Sequence, residues 1–268
     1  MTTSDLTPRS DISALFIPEG ECLVPTAFAV GPWRPDALHG GAVAALFAAA
    51  LESEDRALAR VTVDLLAAVR LHPLRLEVND ESAGRKVQRR SAVLWDGERA
   101  VARASALYVT PIHQELPQLE EEIIAPPADL ALLPESRAGW PGFESLALAL
   151  HTAAAGKKTT SGWFRLLVPA IAGKPLTGLQ SALAAADYTS GGTARLLSLK
   201  KWMFMSLDLT VSLVRQPEGD WIGLNGDRST LGEDGIGVAG ALLYDASGSF
   251  GRCMQTQLLQ SLTAPGPT

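Results

Sequence analysis

The chain has 268 residues, with 23 Lys+Arg against 29 Asp+Glu and a formal net charge of −6. Its 47% hydrophobic and 19% charged residues exclude a wholly disordered chain, and the acidic balance speaks against the basic face of a nucleic-acid protein. The length fits one large domain or two small ones.

The N-terminal stretch MTTSDLTPRSD lacks the charged-then-apolar order of a secretory signal. The longest uncharged apolar run, 40–51, is shorter than the ~18–20 residues of a spanning helix. Only Cys22 and Cys253 occur, without CxxC or CxxH spacing, so neither a disulfide scaffold nor a zinc site is expected. A soluble cytoplasmic protein without a membrane span, metal or cofactor is the expectation.

In chain order, a strand over 23–30 leads to GGAVAALFAAALE (40–52). Ala and Leu are strong helix formers and no β-branched run interrupts them, which predicts a helix. Strand-like segments follow in VTVDLLAAVR (61–70) and SAVLWDGERAVARASALYVT (91–110). The Pro- and Glu-rich stretch 117–142 has no sustained period and reads as a linker with at most one short helix.

The same order then recurs. A strand over 159–167 precedes the helical KPLTGLQSALAAAD (174–187), with Thr177 near its start and the Gly191-Gly192 pair as its terminator. Strands follow in FMSLDLTVSL (204–213), WIGLNGDRST (221–230) and IGVAGALLYDASGSFGRCMQTQLLQ (236–260). Leu209, Val211 and Leu213 alternate with Asp208, Thr210 and Ser212, the period of a half-buried strand. In both halves a turn aspartate precedes an arginine by seven positions, Asp96 to Arg103 and Asp245 to Arg252. This is α+β logic: each half buries one apolar helix against a long antiparallel sheet, and pairing the two sheets covers exposed edges.

One motif match fails on context, and a second motif is absent. GIGVAG (235–240) fits GxGxxG by letter but runs into the strand-like ALLYD, and no GxSxG nucleophile elbow occurs.

GPWRPDALHGGAVAALFAAALE (31–52) resembles the HGG helix start of acyl-CoA thioesterases. SALAAADYTSGG (181–192), LDLTVSLVRQPEGDWIGL (207–224) and LLYDASGSFGRCMQTQLL (242–259) resemble the second half of the TesB-like, thioesterase II type enzymes. The resemblance covers both halves. It implies a tandem (double) hot-dog, each half a long antiparallel sheet wrapped around one Ala/Leu-rich helix. The halves would be an N-terminal hot-dog over 1–115 and a C-terminal one over 143–268, joined by the linker 116–142.

The resemblance also implies an acyl-CoA thioesterase. Its hydrolytic water would be held by an aspartate, a hydroxyl residue and a glutamine, placed on Asp187, Thr230 and Gln255. Ala50 and Ala106 match Asp187 and Gln255 in the first half, so one working site per chain is implied. The partner would be the acyl-CoA substrate, and a homodimer or higher homo-oligomer would cover the remaining sheet edges.

Such residues suit thioester hydrolysis. A thiolate of pKa near ~8.5 leaves with little acid assistance, so a base, a positioned water and oxyanion donors suffice. Asp187 can be the base, Thr230 and Gln255 can orient the water, and backbone N–H groups at Gly40 and Gly41 can face the carbonyl oxygen. His39 is a further candidate for touching the substrate.

Each residue also has a structural explanation. Asp187 can simply end a helix, although a carboxylate there meets the unfavourable end of the dipole. Gln255 can be a solvent-facing strand residue, Thr230 turn chemistry, His39 a helix-start residue, and the glycine pair a packing device. Lys157-Lys158, Lys200-Lys201 and Arg89-Arg90 are candidates for coenzyme A phosphates or plain surface charge. The rival functions are a silent acyl-CoA-binding scaffold and an acyl-CoA hydratase or dehydratase, the latter requiring an Asp/His pair at a helix mouth.

Overall fold

The structure, a computed structural model, describes residues 13–53, 55–112, 114–115, 142–152, 162–226 and 229–262. The short hairpin β1 (Phe16–Glu19) and β2 (Cys22–Pro25) leads through a 3-10 turn to helix α1 (Gly40–Leu51). Four strands complete the first half: β3 (Ala57–Leu65), β4 (Arg75–Ala83), β5 (Val87–Asp96) and β6 (Arg99–Val109). The expected linker lies outside the described residues except for Gly142.

The second half opens with β7 (Leu148–Thr152) and β8 (Gly162–Leu166), followed by α2 (Gly178–Ala186) and the short α3 (Gly191–Leu196). Its remaining strands are β9 (Trp202–Ser206), β10 (Asp208–Leu213), β11 (Ile222–Gly226), β12 (Thr230–Leu231), β13 (Ile236–Asp245) and β14 (Gly248–Ser261). One 12-stranded sheet joins both halves in the order β4-β5-β6-β3-β10-β14-β13-β11-β8-β7, with β12 on β13 and β9 on β14.

The seam is the antiparallel pair β3–β10, where Val61 faces Val211 and the hydroxyls of Thr62 and Thr210 lie 3.1 Å apart. Leu209, Val211 and Leu213 turn inward, as their alternation predicts. Helix α1 buries residues 41–48 and Leu51, so it is a core helix rather than an amphipathic one. Its glycine and alanines admit α2 closely: a β-carbon at Gly41 would stand 3.0 Å from the Ala184 carbonyl oxygen.

Thr177 caps α2 by accepting the Gln180 N–H at 3.3 Å. The buried Gln180 side chain fastens the preceding chain, accepting the Ala170 N–H and donating to the Pro175 carbonyl. The Gly191-Gly192 pair does not end the helical path. After α2 the chain passes through a 3-10 turn (Asp187–Ser190) into α3, and Gly191 itself is right-handed helical at φ −57.

Sheet register agrees with the internal matching. The β5–β6 hairpin pairs Asp96 with Arg99 and Val93 with Arg103, and the β13–β14 hairpin pairs Asp245 with Gly248 and Leu242 with Arg252, so Ala106 is the counterpart of Gln255. One inward step further on each strand, Tyr108 corresponds to Gln257. Tyr108 donates its hydroxyl to the Leu51 carbonyl at the end of α1.

Candidate active site

Helix α1 begins at the sequence His39-Gly40-Gly41, and each residue has a separate task. The His39 Nδ1 accepts the Gly41 N–H at 2.9 Å, capping the helix with an imidazole. The ring is clamped between Phe143 (centroids 4.6 Å, 24°) and Tyr188 (5.4 Å, 20°). Gly40 leaves space for a carboxylate, since a β-carbon there would meet Asp187 Oδ2 at 2.8 Å and Oδ1 at 2.9 Å.

That carboxylate arrives from the other half of the chain. Asp187 is the C-cap of α2, where its own helix dipole opposes a negative charge. Its side chain instead lies against the first turn of α1, the positive end of the other helix. The dipole misfit expected from sequence is therefore answered by the fold.

A buried hydrogen-bond chain fixes the carboxylate. Oδ1 accepts from Gln255 Nε2 at 2.7 Å and from Ser206 Oγ at 2.9 Å, while Gln255 Nε2 also donates to Ser206 Oγ at 2.7 Å. The Gln255 carbonyl oxygen accepts from Gln257 Nε2 at 2.9 Å, and Gln257 in turn accepts from Thr193 Oγ1 at 2.6 Å. Gln255 and Gln257 are both fully buried, and each amide has partners at both ends, as buried polar groups require. Gln257 is thus an inward partner of Gln255, two positions along β14. Oδ2 of Asp187 remains on the side of His39, 3.2 Å from Nδ1.

The cluster forms the wall of a cavity of about 580 Å³. Asp187, Ser206, His39, Gly40 and Glu144 line one part, and most of the remaining lining is apolar, including Val43, Leu65, Val69 and Leu199. Trp33 and Phe204 meet edge-on across it at 5.3 Å, tying the loop before α1 to β9. A concave apolar space with a few convergent polar groups is the usual form of a small-molecule site. Among the described residues no His/Cys/Asp/Glu cluster suits a metal ion, and no helix is long and apolar enough to cross a membrane.

The structure brings together Asp187, Gln255, His39, Gly40 and Gly41. It does not bring Thr230 to them: Thr230 is exposed on β12, opposite Val238, and does not line the cavity. The hydroxyl in the cluster belongs to Ser206, which sequence reasoning missed. Its one signal was position, since it closes the strand-like FMS just before the alternating LDLTVSL. Gly41 spends its N–H on His39, whereas no acceptor among the described residues takes the Gly40 N–H. Arg90 pairs with Asp80 at 2.6 Å on the first-half sheet and stacks on Tyr108, a structural role. Lys200 and Lys201 adjoin the cavity residue Leu199, and Lys157-Lys158 lie outside the described residues.

One family matches along most of the chain. Residues 29–109 match the acyl-CoA thioesterase N-terminal domain and 123–259 the acyl-CoA thioesterase C-terminal domain. The chain belongs to the TesB-like acyl-CoA thioesterase family, and its fold is the double hot-dog.

Solved structures share the fold at low identity. A TesB protein of Mycobacterium avium subsp. paratuberculosis is 16% identical at a TM-score of 0.64, covering 91% of this chain and 96% of its own. A protein of Novosphingobium aromaticivorans, provisionally described as a thioesterase, is 18% identical at 0.70, covering 92% and 98%. A hot-dog protein of Alicyclobacillus acidocaldarius with no function given is 15% identical at 0.67, covering 95% and 98%. No curated protein sequence matches the chain.

Proposed function

We propose that the protein hydrolyses acyl-CoA thioesters to a free carboxylic acid and coenzyme A. The observation that carries this reading is the Asp187 carboxylate, held on the cavity wall against the first turn of α1. A water placed by Asp187 Oδ2 attacks the thioester carbonyl carbon and gives its proton to the carboxylate. The Gly40 N–H and the positive end of α1 face the oxygen that gains charge. Collapse of the tetrahedral adduct breaks the C–S bond, and the departing thiolate takes the proton from Asp187.

Gln255 and Ser206 hold Oδ1, so that Oδ2 is the oxygen left for the water. Ser206 here takes the place first given to Thr230. Purified protein supplied with acyl-CoAs of graded chain length should release free thiol. Asp187→Asn should lower kcat about 100-fold or more, the scale of losing a principal catalytic group. Absence of thiol release above buffer at every chain length overturns the reading.

A second reading draws on the His39–Asp187 pair at the helix mouth, the arrangement a hydratase needs. Nδ1 of His39 is occupied by the Gly41 N–H and Nε2 faces Glu144, which leaves the ring poorly placed to hand a proton to an enoyl substrate. Enoyl-CoA loss without thiol release would select that reading instead.

A further inference from the structure

Glu144 lies in the single helical turn Phe143–Ala147 and lines the cavity beside His39. Its Oε1 stands 3.5 Å from His39 Nε2, and both side chains are largely buried, 18% and 9% exposed. The opposite ring nitrogen accepts the Gly41 N–H at 2.9 Å. A nitrogen that accepts carries a lone pair, so in neutral His39 the proton belongs on Nε2, facing Glu144.

The other tautomer would do damage twice. A proton on Nδ1 would oppose the Gly41 N–H and uncap α1. It would also point a donor at Asp187 Oδ2, 3.2 Å away, engaging the oxygen that the hydrolytic reading assigns to the water. Phe143 and Tyr188 clamp both ring faces, so the imidazole has little room to escape by flipping.

We propose that Glu144 is a positioning residue of this site: its carboxylate holds the His39 proton on Nε2 and thereby keeps Asp187 Oδ2 free to act as base. The proposal rests on the thioesterase reading for its kinetic consequence, while its effect on His39 can be read without turnover.

The test compares wild type, Glu144→Gln and Glu144→Ala by nitrogen NMR of His39 at neutral pH and by acyl-CoA kinetics. Wild type and Glu144→Gln, which retains an acceptor oxygen, should show the Nε2–H form, with kcat within about threefold of each other. Glu144→Ala should populate the Nδ1–H form and lose about tenfold or more in kcat, with KM within twofold. An Nδ1–H ring in wild type, or an unchanged tautomer in Glu144→Ala, overturns the proposal. So does a change confined to KM, which would make Glu144 a substrate contact. Should Glu144→Ala not fold, an Nδ1–H ring in Glu144→Gln would overturn it equally. If the tautomers respond as stated but wild type releases no thiol, the thioesterase reading fails while the hold of Glu144 on His39 stands.

Discussion

A methyl group at position 40 is the smallest change that tests the site. It would collide with both oxygens of the Asp187 carboxylate, which Gln255 and Ser206 hold in place. Gly40→Ala should therefore lower kcat about tenfold or more, as steady-state kinetics would record. The hydroxyl assignment has an equally direct test. Ser206→Ala should cost about tenfold in kcat because Oδ1 loses a donor, whereas Thr230→Ala should leave kcat within twofold. The reverse result would restore Thr230.

At the scale of elements, α2 depends on its cap. Thr177→Ala should destabilise the fold by about 1 kcal/mol, measured as a shift in urea midpoint. The β13–β14 hairpin depends on charge. Asp245 is wholly buried, and desolvation alone would raise its pKa. Two bonds from Arg215 at 2.6 and 2.7 Å, with the N–H groups of Glu218 and Ser247 at 2.8 Å, outweigh that penalty and hold the carboxyl below its ordinary value.

A depressed acid contributes its stability in full above the unfolded pKa and loses it as pH falls through the folded one. The melting temperature should therefore drop from about pH 4 downward, and Asp245→Asn should flatten that slope. Equal acid slopes in the two proteins would show that Asp245 contributes nothing to it. Seven-residue spacing linked Asp96 to Asp245 in the sequence, but the electrostatic partner, Arg215, comes from a loop that no spacing announced.

For the whole molecule, the β3–β10 seam makes one cooperative body of two similar halves. Heating should give a single transition, and Leu209→Ala, at the seam, should lower stability by about 2–5 kcal/mol without splitting it. Two separable transitions by calorimetry would show that the halves fold independently.

The helices and the alternating strands were legible because Ala/Leu runs and period-two patterns are local. Asp187 and Gln255 were legible only through the resemblance of their segments. Ser206 and Glu144 were not, because a lone serine in a strand or a lone glutamate after a linker has no periodic signature. The glycine pair at 191 misled because helical glycine and terminating glycine look alike until backbone angles are known. The match of Ala106 with Gln255 was legible because equal Asp–Arg spacing in two like hairpins carries the sheet register with it.

The empty space at Gly40 belongs to one half of the chain and the charge that fills it to the other. Neither position can change alone: a bulkier residue at 40 demands a displaced or smaller side chain at 187, and a longer acid at 187 still demands glycine. Two segments nearly 150 positions apart are thus bound to mutate in concert, as if they were neighbours.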